Sequence, residues 1–563
     1  MSDLATTPLT ENATPYDALL IDAAMGPLRR FVPDASTAKW AVSLARKPRT
    51  TARRFGSLAG EAARIAAGTS DLAPRRGDRR FKDVAWTDNP FLHRLVQLYL
   101  AGGRTAEQLL EDANLSERDR KRVRFLVENV TEAVSPSNVP LVNPESAKRA
   151  IDTGGISLAR GGAALVRDLA SAPRLPEMVD STGFRLGDNI GATPGAVVFR
   201  TEVFELIQYT PQTDEVFEVP VLIVPPTINK FYALDLAPGR SMVEFHLQHN
   251  RQVFVISWRN PDARHAEWNL ETYVQAILDA LETVEEVSGS EQTALAAMCS
   301  GGILASIATA YLAATGRQDR IAAFLLAVTV LDNADAGTAG ALIDPAMAEV
   351  AKARSAQTGY LDGRYLAEIF AWLRPSDLVW NYWVNNYLLG KKPPAFDILF
   401  WNADTTRMTA GLHADFVDLA MDNTVVRPGA LSVFGVPIDL GAITVDSYVV
   451  AGIADHITPW ESCYRTTQLF GGETRFVLSN SGHIAAMVNP PGNPKSSFHT
   501  GQDHGPDPRA WLKNAETHEG SWWNDAASWL AQRSGDLKAA PKDLGSARLE
   551  PLAEAPGTYV FDK

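Results

Sequence analysis

The sequence predicts an α/β fold preceded by a mainly helical region, and three observations carry that prediction. From about residue 195 onward, short apolar runs bounded by turn signals alternate with stretches of helical period, the pattern of a buried sheet covered by helices. One of those runs ends in Ala297-Met298-Cys299-Ser300-Gly301-Gly302 and passes straight into a helical stretch, so a tight strand-to-helix turn carries a thiol at its apex. Residues 1–190, by contrast, show Ala, Leu and Arg at helical spacing with few β-branched alternations.

Taken in order, the helical region (1–190) contains a basic stretch over 45–67, with Arg46, Lys47, Arg49, Arg53, Arg54 and Arg64 among alanines and leucines. Such a helix binds a lipid or polymer surface or a partner, or is simply a solvated face. The second domain, 191–563, opens with the buried-strand candidates 204–209, 219–224 and 252–258. A helix over 271–287 follows, its stripe formed by Val274, Ile277, Leu278, Leu281 and Val284. The strand 293–296 leads to the thiol turn and a helix over 303–311, and the segments 447–452 and 475–479 continue the strand series. Between about 335 and 443 the alternation gives way to an aromatic-rich insertion with Trp372, Trp380, Trp383, Tyr387, Phe396 and Trp401. Inserted after a middle strand, it caps the site; its rings line an acyl channel or form the cap's own core.

Composition excludes several classes. With 563 residues the chain is too long for one small core. Its 45% hydrophobic and 21% charged residues are those of a globular protein, and its net charge of −13 disfavours nucleic acid. No stretch reaches the ~18 apolar residues of a membrane span, and no basic segment leads into a long apolar run at Met1. Two cysteines, Cys299 and Cys463, make no disulfide framework and fit a reducing, cytoplasmic compartment. Neither His-Glu-x-x-His nor a Walker-type phosphate loop occurs, so no metal and no cofactor is expected.

A thiol nucleophile needs a base, and the order nucleophile, acid, histidine is that of the α/β-hydrolase fold. Asp455 follows the strand 447–452, and His483 follows the strand 475–479, both at carboxyl ends of strands where ligands bind in open α/β sheets. His483 would take the proton of Cys299. Asp455 would orient that imidazole or act on an incoming hydroxyl, and sequence does not separate the two. His456, beside Asp455, is the competing base. For the oxyanion hole one amide is that of Ser300; the second comes from Pro225-Pro226-Thr227-Ile228-Asn229-Lys230, from either Thr227 or Ile228. Cysteine in place of the usual serine points to acyl transfer through a thioester. An esterase, thioesterase or polyester depolymerase on the same fold, and a catalytically idle scaffold, are the rival readings.

Cys299-Ser300-Gly301-Gly302, Val224-Pro225-Pro226-Thr227-Ile228-Asn229-Lys230, Ile256-Ser257-Trp258-Arg259-Asn260-Pro261, Asp455-His456-Ile457-Thr458-Pro459-Trp460 and Ser481-Gly482-His483 together resemble polyhydroxyalkanoate synthases. Asp78-Arg79-Arg80-Phe81 and Asn489-Pro490-Pro491-Gly492-Asn493-Pro494 extend the similarity over almost the whole chain. The resemblance implies polymerisation of (R)-3-hydroxyacyl-CoA with release of CoA, Cys299 carrying the growing polyhydroxyalkanoate chain, His483 as base and Asp455 helping to deprotonate the 3-hydroxyl. It also implies a homodimer on the surface of storage granules, with granule-associated proteins as further partners and the N-terminal region engaged in association. Ala297 stands where the family's box has its first glycine. The chain is similar to the single-subunit class II enzymes, yet Thr329 and Ala485 match the short-chain pattern; a pocket accepting short- to medium-chain monomers is expected.

Overall fold

The computed structural model describes residues 20–21, 23–24, 34–170, 172–333, 345–373, 375–502 and 504–563. The start of the expected insertion, at 335, lies outside them. The chain forms two compact units, one of 1–25, 181–366 and 396–563, the other of 26–180 and 367–395.

The second unit is helical. Its main helices are α1 (Ala35–Ala45), α2 (Pro48–Ala67), α3 (Pro90–Asp112), α4 (Glu117–Ala133) and α5 (Ile156–Leu169). Their starts follow from local chemistry: Asp34, Asn89 and Ser116 accept hydrogen bonds from first-turn amides, and Pro48 and Pro90 occupy positions where no amide is needed. The basic stretch over 45–67 is thus broken at Arg46 and Lys47, between α1 and α2. Arg54 pairs with Asp112 at 2.6 Å and Arg64 with Glu61, while Arg46, Arg49 and Arg53 are exposed. Part of the aromatic insertion belongs to this unit: Leu175, Ala371 and Val379 form one apolar cluster. At Gly161 on α5 a Cβ would lie 1.8 Å from the carbonyl oxygen of Tyr387, so only glycine permits that approach. The segment assigned by sequence to one cap is therefore divided, 367–395 falling to the helical unit and 396–443 to the other.

The first unit is built on one eleven-stranded sheet. Its strands are β1 (Gly195–Arg200), β2 (Phe204–Tyr209), β3 (Val221–Val224), β4 (Val253–Trp258), β5 (Thr293–Met298), β6 (Ile321–Ala327), β7 (Ser447–Gly452), β8 (Thr474–Ser479), β9 (Ser497–Thr500), β10 (Glu516–Glu519) and β11 (Ala553–Glu554). The spatial order is β10-β9-β8-β7-β6-β5-β3-β4-β2-β1-β11. The six strands from β8 to β4 pair in parallel and those outside them antiparallel. This is the α/β-hydrolase arrangement, with β5 at its centre and every β5 residue buried. α6 (Leu270–Ser288) buries the expected stripe, Val274, Ile277, Leu278, Leu281 and Val284 all being at most 6% exposed. α7 (Cys299–Ala314) follows β5 without a linking residue. α8 (Pro345–Thr358) and α9 (Ala410–Asp422) pack together beyond the strand ends, and α10 (His483–Val488) follows β8. Among the described residues no helix is long and apolar enough to cross a membrane.

Candidate active site

The turn between β5 and α7 forces Cys299 into the left-handed backbone region, φ 50°, a conformation uncommon for a residue with a side chain and concentrated at functional sites. Its neighbours are small for a measurable reason. A Cβ on Gly301 would lie 2.3 Å from the Pro225 carbonyl oxygen, and one on Gly302 would lie 2.0 Å from Thr329 Oγ1. Ala297 sits in regular strand pairing opposite Val224 and Leu326 and has no positive φ. Its methyl group therefore brings no backbone strain to the turn.

Three loops converge on the thiol. His483, first residue of α10 and buried, lies beside Cys299, whose thiol is among the groups that act on its pKa. Its Nδ1 lies 2.7 Å from Asp455 Oδ2. An ionised carboxylate only accepts, so Nδ1 carries a proton and Nε2 is the nitrogen left for the thiol. Burial alone would lower the His483 pKa; the Asp455 charge and hydrogen bond outweigh it and raise it above the ordinary 6.5. Burial likewise opposes ionisation of Asp455, but the imidazole and the Thr458 donors hold its carboxyl below the ordinary value.

Asp455 is 1% exposed and its oxygens are occupied. The amides of Ile457 and Thr458 donate to Oδ1 at 2.8 and 2.9 Å, the Thr458 hydroxyl donates to Oδ2 at 2.5 Å, and His483 takes the remaining position. Thr458 Oγ1 also lies 3.1 Å from His483 Nδ1. Sequence reasoning overlooked Thr458 as a member of the site. A signal existed: a threonine three residues after an aspartate is the spacing at which hydroxyl and amide both reach the carboxylate. His456 is half-buried; the imidazole that joins Asp455 to Cys299 is that of His483.

Of the two candidate amides after β3, that of Thr227 is already used, donating to Ser300 Oγ at 3.0 Å. The Ile228 amide has no hydrogen-bond partner among the described residues. The Ser300 hydroxyl, which also lies 3.1 Å from Thr227 Oγ1, ties this loop to the start of α7. A cleft opens at Cys299, lined by Ile303, Val328, Leu331, Phe416, Leu419 and Val425 among others, with Thr458 also in its wall. Thr329 does not line it: it is buried behind Gly302, its hydroxyl donating to the carbonyls of Ala327 and Cys299 at 3.1 and 3.4 Å. Ala485 is exposed on α10, also outside the cleft lining. Cys463 is buried under Asp455, its Sγ 3.9 Å from the Thr458 carbonyl, and burial followed by the Asp455 charge pushes its thiol well above the usual range.

Comparison with known proteins places the chain in a family. The sequence model described as the N-terminus of poly-beta-hydroxybutyrate polymerase matches residues 77–246, and that of the alpha/beta hydrolase fold matches residues 220–490. Poly(3-hydroxyalkanoate) polymerase 2 of Ectopseudomonas oleovorans is 46% identical over 92% of this chain and 92% of its own length. The chain belongs to the poly(3-hydroxyalkanoate) polymerase family. Another of these polymerases, the subunit PhaC of Cupriavidus necator, is 38% identical over 89% of this chain and 85% of its own. A solved esterase of Thermogutta terrifontis covers 61% of the chain and 98% of its own length at 14% identity and a TM-score of 0.35.

Proposed function

We propose that the chain polymerises (R)-3-hydroxyacyl-CoA into polyhydroxyalkanoate through a thioester on Cys299. The observation that carries this reading is the convergence of Cys299, His483 and Asp455, with the imidazole beside the thiol and bonded to the buried carboxylate. His483 accepts the Cys299 proton as the sulfur attacks the substrate thioester carbonyl. The tetrahedral oxyanion rests on the amides of Ser300 and Ile228. Collapse breaks the bond to the CoA sulfur, which takes the proton back from His483 and leaves as CoA. The 3-hydroxyl of the next 3-hydroxyacyl-CoA then attacks this thioester, giving its proton to His483; the ester bond forms as the bond to the Cys299 sulfur breaks and that sulfur takes the proton back, and the lengthened acyl-CoA re-acylates Cys299 with release of CoA.

Full occupation of the Asp455 oxygens supports an orienting role for that carboxylate, with His483 serving both half-reactions. The apolar walls of the cleft support alkyl side chains of short to medium length. In the helical unit Phe55, Val84, Phe91, Ile151 and Val166 are all more than half exposed, which supports contact with an apolar polymer surface. As the family resemblance implies, the enzyme works as a homodimer at granules in the cytoplasm.

The test supplies purified enzyme with a mixture of 3-hydroxyacyl-CoA thioesters and analyses the product by gas chromatography. Polymer containing both four-carbon and longer monomers is expected. Free acid without polymer would overturn the polymerase reading, and polymer built only from monomers of six or more carbons would overturn the range.

A further inference from the structure

The loop 225–230 carries the proposed second oxyanion donor, and its polar groups are fixed at several points. The Pro225 carbonyl accepts from Trp258 Nε1 at 3.0 Å, the Thr227 amide donates to Ser300 Oγ at 3.0 Å, and the Lys230 carbonyl accepts from Trp401 Nε1 at 2.6 Å. Beyond these backbone ties stands a buried ion. The Lys230 side chain is 3% exposed, and its ammonium lies 2.6 Å from the Val560 carbonyl, 3.0 Å from the Asp562 carbonyl and 3.0 Å from Asp404 Oδ1.

Two carbonyls accept from the ammonium and the Asp404 carboxylate balances its charge, so Lys230 is engaged within the fold and its effect is on the loop. Each partner is itself anchored. Asp404 accepts from the Tyr232 hydroxyl at 2.9 Å. The segment 558–562 is held to β2, because the amides of Thr558 and Tyr559 donate to the fully buried Glu205 at 2.8 and 3.0 Å and the Tyr559 hydroxyl donates to the Thr201 carbonyl at 2.6 Å. Lys230 thus joins the loop to the β2 side of the sheet, while Ser300 joins it to α7.

We propose that Lys230 is a positioning residue for acyl transfer: its buried ammonium, clamped between Asp404 and the carbonyls of Val560 and Asp562, fixes the loop that aims the Ile228 amide at the substrate oxyanion. This rests on the reading of Ile228 and Ser300 as oxyanion donors to a Cys299 adduct. Losing an oxyanion donor costs about 10²- to 10³-fold in rate while leaving ground-state binding largely intact.

Two measurements on Lys230→Met in the full chain separate the loop from the rest of the site. CoA release from 3-hydroxybutyryl-CoA should fall about 100-fold in kcat, with KM changed by less than about threefold. Alkylation of Cys299 by iodoacetamide, which needs the thiol and imidazole but no oxyanion hole, should stay within about twofold of the parent rate. An unchanged kcat, or alkylation that falls together with kcat, would overturn the proposal. Should Lys230→Met fail to fold by circular dichroism, Asp404→Asn carries the same pair of measurements, with a kcat loss of about tenfold expected from one weakened charged hydrogen bond. Retained CoA release by Cys299→Ala would instead sink the thioester reading, and that result is read in a different variant.

Discussion

At Cys299 a left-handed backbone, a buried thiol and a neighbouring imidazole coincide. Cys299→Ser keeps the shape of the turn but offers a poorer nucleophile and a less activated acyl donor, so polymer formation should drop at least about 10³-fold when CoA release is followed by thiol titration. The raised pKa of His483 has a direction that can be checked. Because Asp455 overcomes the burial that would lower it, the neutral base appears only above pH 6.5, and single-turnover acylation should rise with pH through that higher value. In Asp455→Asn the charge is gone and burial dominates, so the same limb should move to lower pH; a limb that stays in place would contradict the assignment. Thr458→Val removes the hydroxyl shared by Asp455 and His483. Loss of one such hydrogen bond should cost about tenfold in kcat with little change in KM, read from steady-state CoA release.

Helix α7 meets β3 and β6 so closely that its first turn admits no side-chain carbon at Gly301 or Gly302. Gly301→Ala meets backbone, which cannot yield, and should lower stability by about 2 kcal/mol in urea unfolding. Gly302→Ala meets the Thr329 side chain instead, so Thr329→Ala in the same chain should recover much of the loss, a coupling that a double-mutant cycle measures. The strands that frame this turn were legible where composition and local chemistry agreed. β2 and β7 read as strands because Ile, Val and Tyr recur in them with turn signals on either side. β6, Ile-Ala-Ala-Phe-Leu-Leu-Ala, was not singled out, since it consists mostly of the strong helix formers Ala and Leu and only its place between β5 and β7 makes it a strand. β10, Glu-Thr-His-Glu, has no apolar face and exists as the edge partner of β9. Cys299, Asp455 and His483 were readable from their places at strand ends. Thr458 is legible in its spacing from Asp455, whereas Lys230 and the cleft residues of α9 depend on tertiary approach, which local pattern does not encode.

Across the whole molecule the chain enters the helical unit twice, over 26–180 and again over 367–395. Deleting residues 26–180, with 1–25 kept for the unit they belong to, should therefore leave Ala371, Val379 and their neighbours Trp372 and Trp380 without the Leu175 side of their cluster, and such a truncated chain should aggregate in light scattering. Replacing 367–395 by a short polar linker in the same truncation should restore solubility. The double entry also couples the two units through chain connectivity. The excursion between Leu366 and Phe396 is roughly 30 residues, and if the helical unit melts it becomes a slack loop whose ends the other unit must still hold together, at a closure entropy of about 3 kcal/mol. Melting of the helices thus taxes the catalytic sheet through the thread that passes between them, and a calorimetric scan would register one merged transition where two bodies merely strung in series would give two.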